Sequence, residues 1–287
     1  MLRQILKQAF WDFYDHLGRL LFLNFFLFLT LFPLAYFGMV FAGVTLTGVS
    51  PGIRFPVLCV ALAVLFSLLG TPWLAGLFHF GELSSLEKDP SWKEFFAGIR
   101  LHGLRVLRFL LGWSVLAALL LVNVWFYFLS GLLPESFAIA GFVAGGLCFW
   151  LLLLLVVILG HAMPLVVRRG FGFRRGMKYG FLLTLKYPGA TFGAALFGAS
   201  LLVIGGFLKF AGLVIFGFTL PVLLANSLHD VIVEREEQAS ATPPEEAGEK
   251  RTSWREIREE EEQQEEARLR RARYDRTFRD VIRPWEM

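Results

Sequence analysis

The 287-residue sequence predicts an all-α fold, a polytopic transmembrane helical bundle of six spans followed by a charged, helical cytoplasmic tail. Three observations carry that prediction. Six runs are long and almost free of charge, basic residues crowd the connections on one side only, and the composition changes sharply after Asp230. Hydrophobic residues make up 56% of the chain and charged ones 18%, whereas soluble domains are about a quarter charged.

A helix rises about 1.5 Å per residue, so a hydrocarbon core of about 30 Å takes about 20 apolar residues. Residues 1–19 read as a cytoplasmic amphipathic N-terminus. Leu20 to about Thr47 is the first span, and it far exceeds the apolar region of a secretory signal (about 7–15 residues), so it reads as a retained anchor. Phe55 to about Phe80 is the second, between Arg54 and Glu82. Near 91–107 Ser91 and Glu94 form a capping-box pattern, and Trp92, Phe95, Phe96 and Ile99 recur at helical spacing, which predicts an interfacial helix. Phe109–Leu133 and Ser136–Val167 are the third and fourth spans, joined by a turn around Gly131 and Pro134. Pro188–Leu208 and Phe210 to about His229 close the membrane domain as a hairpin around Lys209. Pro33, Pro72, Pro164 and Pro221 lie within spans, where proline can kink or break a helix but is also common in ordinary membrane helices.

Lysine and arginine set the orientation. Fourteen basic residues flank the N-terminus and the connections after spans two and four, against only Arg54 and Lys209 on the other side. The rich side is therefore expected to be cytoplasmic, with both termini there, in a bacterial inner membrane. Among these residues Arg168, Arg169, Arg174 and Arg175 are candidate contacts for lipid headgroups.

Glycines and basic residues also suggest internal order. Gly98 to Phe109 aligns with Gly176 to Tyr187 without gaps, which would make spans two and three equivalent to spans four and five. Gly141 and Gly145 are spaced for close helix contact. The glycine-rich stretch Gly170–Gly176 follows a membrane helix and lacks the Gly-Lys-Ser/Thr ending of a phosphate loop.

Chemistry is sparse. Cys59 and Cys148 sit apart in apolar runs, so they read as small buried hydrophobes. Five histidines form no H-E-x-x-H pattern, and no acid pair or activated nucleophile is evident, so no catalytic residue, metal or cofactor is assigned. The charge distribution resembles no nucleic-acid-binding stripe. Polar residues within spans are the usual functional markers. Asn24, His161, Asn226 and Asp230 are all expected toward the cytoplasmic half, where they can either line one cavity or tie helices together. Asn123 lies midway along the third span, and no acidic residue lies deep in any span, which argues against proton or sodium coupling.

From 232 to 252 Pro243, Pro244 and polar residues predict a flexible linker. Ser253 with Glu256 opens a second capping box, and 253–287 reads as a charged helix, glutamate-rich first and arginine-rich later. Near its end Phe278, Ile282 and Trp285 fall at i, i+4 and i+7, a candidate docking motif for a protein partner.

Leu23-Asn24-Phe25-Phe26 through Phe32-Pro33, Thr71-Pro72 with Ala75, Trp92-Lys-Glu-Phe-Phe96, Met163-Pro164-Leu165-Val166 and Leu182 to Pro188 together resemble the YesL-like family of bacterial integral membrane proteins (DUF624). The resemblance covers roughly Leu20 to Asp230 and omits the charged tail. It implies a polytopic protein associated with carbohydrate uptake systems, with no functional residue to carry over. The expected role is a non-catalytic accessory or scaffold component that touches membrane lipids and docks a protein through its loops and tail. A small-solute permease is the alternative, and a lipid-modifying enzyme a distant third.

Overall fold

The computed structural model describes residues 1–45, 51–85, 90–130, 134–208, 217 and 219–240. All its regular structure is helical: α1 (Leu2–Asp15), α2 (Leu17–Thr45), α3 (Pro51–Ser85), α4 (Trp92–Phe128), α5 (Ala138–Arg168, entered through a 3₁₀ turn at Glu135–Phe137), α6 (Phe173–Lys186), α7 (Pro188–Phe207) and α8 (Thr219–Ser240). Four stretches are long and apolar enough to cross a membrane: Phe55–Ser85, Trp92–Phe128, Ala138–Arg168 and Pro188–Phe207. They match the second to fifth expected spans. Of the first, the apolar helix Leu17–Thr30 covers 14 residues.

The helices are longer than a bilayer requires. At 37 residues α4 is about 55 Å long, against a hydrocarbon core of about 30 Å. The expected interfacial helix and third span are this one unbroken helix. The excess lies at the charged ends, where Glu82, Lys93, Arg100, Arg105, Arg108 and Arg168 sit.

Burial follows the same division. In α3, Ala75, Leu77, Phe78 and Phe80 are buried while Val57, Val60, Val64 and Leu68 are exposed. In α5 the run from His161 to Val167 is buried, whereas Phe142, Leu147 and Trp150 are exposed. The molecule thus has a tightly packed head at the charged end and splayed apolar legs, whose exposed side chains suit acyl chains.

Close approach in the head depends on particular glycines. A Cβ at Gly98 would stand 2.6 Å from the His79 Cβ of α3, and one at Gly76 would stand 2.5 Å from the Phe95 ring of α4. These absences let α3 and α4 form the most extensive helix pair. Gly176 and Gly180 serve α6 likewise, against Val166 and Ile158 of α5. In the legs Gly145 lies against Tyr127 and Phe128 of α4, the packing role its spacing predicts. Gly98 and Gly176, the aligned glycines, each pack against the helix preceding their own. α4 is continuous, however, where the second segment breaks at Tyr187, because Pro188 starts α7 at its first position.

Two connections have local causes. Two residues past the end of α5, Gly170 takes a positive φ of 68°, a conformation that favours glycine, and the chain turns there into α6. Ser91 is the N-cap of α4 as the capping box predicts, but its side chain makes no cap hydrogen bond. Glu94 instead faces His79, with Oε2 4.0 Å from Nε2.

α1 is amphipathic and buries Ile5 and Ala9 against Ala190 and Ala194 of α7 and Leu224, Leu228 and Ile232 of α8. α8 starts at Thr219, with Pro221 in its first turn where a missing N–H costs nothing. It begins beside Asn24, early in α2, rather than at the far end of the legs. Of the expected sixth span, Phe210–His229, the described residues are 217 and 219–229, the latter forming the first half of α8. α8 also continues through 232–240, the opening of the expected linker, since Val231 and Ile232 are buried and no proline intervenes before Pro243. Arg235 of α8 lies against Met1, Nη1 3.7 Å from Sδ, so the start of α1 and the end of α8 share one side of the molecule. The turn glycine Gly131, Lys209 and everything from 241 on, including Phe278, Ile282 and Trp285, lie outside the described residues.

Candidate functional site: a polar node in the head

Arg168 is the last residue of α5 and points inward. Its guanidinium forms a two-pronged ion pair with Asp230 of α8, through Nη1 to Oδ1 and through Nη2 to Oδ2 at 3.3 Å. Nη2 also donates to Asn226 Oδ1 at 3.1 Å, one helical turn earlier on α8. The side chains of Arg168 and Asp230 keep 15% and 23% of their exposure, which places them in a poorly solvated rather than a dry setting. A planar guanidinium matches a carboxylate with two parallel N–H donors, the strong form of such a pair. Glu82 of α3 adds a second carboxylate within electrostatic reach of Arg168. The ends of α3 and α5 and the middle of α8 thus meet on one cation.

The node requires α8 to lie close to α3. A Cβ on Gly81 would collide with the Asn226 amide, so glycine is what admits that side chain. Asn226 is 2% exposed, and its Nδ2 has no hydrogen-bond acceptor. Of the four arginines predicted to meet headgroups, Arg174 and Arg175 are exposed on α6 and Arg169 is exposed at the turn. Arg168 is engaged internally.

The polar residues of the predicted intramembrane cluster have separate partners. Asn226 and Asp230 come together on Arg168. Asn24 instead completes the start of α8: its Oδ1 accepts the Thr219 backbone N–H at 3.1 Å while its Nδ2 donates to Thr219 Oγ1 at 2.8 Å. A helix N-terminus has four backbone donors without internal partners, and a side chain from another helix satisfies one of them here. His161 is fully buried, and its Nε2 pairs with Thr191 Oγ1 of α7 at 2.8 Å. The Thr191 hydroxyl also bonds the Tyr187 carbonyl at 2.8 Å, steadying the break between α6 and α7. Asn123 bonds the Leu119 carbonyl of its own helix at 2.8 Å.

Other polar ties carried no sequence signal. His16 and Ser84 join the α1–α2 junction to α3, Nδ1 to Oγ at 3.1 Å, and both are buried. Ser67 and Ser114 join α3 to α4 at 2.9 Å, at the edge of an open groove of about 340 Å³. The rest of that groove is apolar apart from Asn123 and faces outward from the legs. His79 and His102 lie near Glu82 with ring centroids 5.2 Å apart and planes inclined at 48°, and no group of His, Cys, Asp and Glu among the described residues is placed to hold a metal ion.

The helices identify an integral membrane protein in contact with lipid. Compared with protein-family models, with curated proteins and with solved structures, the chain matches none.

Proposed function

We propose that this chain is a non-catalytic accessory or scaffold component of an envelope or transport complex, akin to the YesL-like proteins. It would cross a bacterial inner membrane six times, with both termini cytoplasmic. α2 and the Phe210–His229 region supply the first and sixth crossings, and the basic side faces the cytoplasm. Partners then meet the packed head and the tail motif Phe278, Ile282 and Trp285.

One observation carries the reading: the polar residues that a permease would use are committed to interhelical ties. Asn24 caps α8, His161 binds Thr191, and Asn226 with Asp230 holds Arg168. Such bonds fasten helices by roughly 0.6–2 kcal/mol each, and they engage each of these four side chains with another helix.

The test compares the full chain with one ending at Ser240, where α8 ends, both purified in native lipid patches and examined by mass spectrometry. A stoichiometric partner that vanishes with the tail is the expected result. The reading fails if neither form retains a partner and the full chain in liposomes admits small solutes, with uptake abolished in folded Asn24→Leu or His161→Leu.

A further inference from the structure

The charged end of α4 carries an outward stripe uncovered by any described element. Phe96, Leu101 and Leu104 are 60%, 65% and 63% exposed, interleaved with exposed Lys93, Arg100, Arg105 and Arg108. The opposite face of the same segment buries Phe95, Gly98 and Val106. Lys93, Phe96, Ala97, Arg100 and Leu101 line an open hollow of about 620 Å³. Counting back about 20 residues of hydrocarbon span from Phe128 reaches Phe109, so the stripe projects beyond the acyl chains. Its three large apolar side chains thus lack the solvent that covers the legs.

We propose that the stripe seats this chain's own segment Trp254–Leu269. Charge is the first reason. Between Glu256 and Glu266 the sequence has seven glutamates and a single basic residue, Arg258, facing four cations on α4. Shape is the second: Trp254, Ile257 and Leu269 supply apolar groups to meet Phe96, Leu101 and Leu104, as an amphipathic segment does in a groove. Reach is the third. Thirteen residues separate Ser240 from Trp254, and the fourteen steps between them, at about 3.3–3.6 Å each, extend up to about 50 Å, twice the ~23 Å that α4 rises from Lys93 to Arg108. A tether of this length holds its cargo at an effective concentration near ~1 mM, so even a site with a Kd of ~0.1 mM would be filled about nine-tenths of the time. The arginine-rich remainder with Phe278, Ile282 and Trp285 stays free, so this seat is independent of the partner proposed above.

An anionic lipid surface would also suit a basic and apolar stripe, and the experiment separates the two. A nitroxide is placed at Leu101→Cys in a Cys59→Ala/Cys148→Ala background, in nanodiscs containing phosphatidylglycerol. Three proteins are compared: the full chain, the chain ending at Ser240, and the full chain with E259Q, E260Q, E261Q and E262Q. Collisions with a water-soluble nickel chelate and with dissolved oxygen are measured, and melting temperatures confirm that all three are folded. The expected result is a nickel collision rate about tenfold higher in the truncated chain, following from the occupancy above, and a rise in the glutamine variant as well. Equal nickel access in all three overturns the proposal. So does uniform oxygen-rich, nickel-poor shielding, which marks the bilayer as the cover. Exposure by truncation but not by the glutamines overturns it too, since the acidic stretch would then not be the occupant. A missing partner in the copurification leaves this measurement unaffected.

Discussion

Replacing Arg168 by Met tests whether the polar node holds the head together. Methionine keeps most of the stem volume while removing the guanidinium, so the Asp230 carboxylate and the Asn226 carbonyl oxygen lose their shared donor. Removing one partner of a buried ion pair costs about 3–5 kcal/mol, and the residual 23% exposure of Asp230 admits some water, which favours the lower value of about 3 kcal/mol. For a protein of this size each kcal/mol lowers the melting temperature by about 2–4 °C, so a fall of about 6–12 °C is expected. The double variant Arg168→Met/Asp230→Leu replaces the pair with apolar groups and should recover to within about 1 kcal/mol of the parent. The assay is tryptophan-fluorescence melting in detergent micelles free of phospholipid. That condition matters, because an arginine serving lipid headgroups would be silent in such micelles. A single variant melting within 2 °C of the parent, roughly 1 kcal/mol or less, would refute the structural role of the node.

Three further outcomes follow from the same packing. Gly81→Ala should destabilise by about 1–3 kcal/mol, the usual cost of overpacking, because its methyl displaces the Asn226 amide; the Gly81→Ala/Asn226→Ala double variant should recover part of that loss in the same melting assay. Asn24→Leu should cost about 1–2 kcal/mol through the uncapped start of α8, and hydrogen exchange should speed up at Thr219 and the next residues rather than along α2. His161→Leu should cost about 1 kcal/mol by leaving Thr191 with only its local bond to Tyr187; exchange protection around Pro188 reads it, and an unchanged profile there would count against the tie.

Much of the helical plan was legible because hydrophobic runs of 20 residues and more have few alternatives in water or lipid. The limits of α4, α5 and α7 follow directly from Ser91, Gly170 and Pro188, whereas α3 runs past Glu82 to Ser85. The overrun beyond the bilayer was less visible, since a run's apolar length says nothing of how far the helix continues into charged sequence. Counting loop arginines also treats each as equivalent, so Arg168 grouped with Arg169 although one turns inward and the other outward. A signal for its partner did exist: Asp230 is the first acidic residue after Glu135, and the stretch between them holds seven basic residues, so a lone carboxylate there calls for one of those cations. Asn24 and Thr219 lie 195 residues apart, and no periodicity links them. Serine and histidine contacts such as His16 with Ser84 depend on tertiary approach alone.

That long separation bears on how the protein is made. Ribosomes add about 5–20 residues per second, so Asn24 enters the membrane some ~10–40 s before Thr219 is synthesised. During that interval its amide has no final partner, and neither does the face of α1 that later meets Leu228 and Ile232. The earliest helices to insert must wait for the latest to be completed, which leaves the half-made protein with an unsated amide and a bare apolar helix at the translocon. An assembly factor or neighbouring chain that shields Asn24 and α1 over those seconds would govern yield without appearing in the finished molecule.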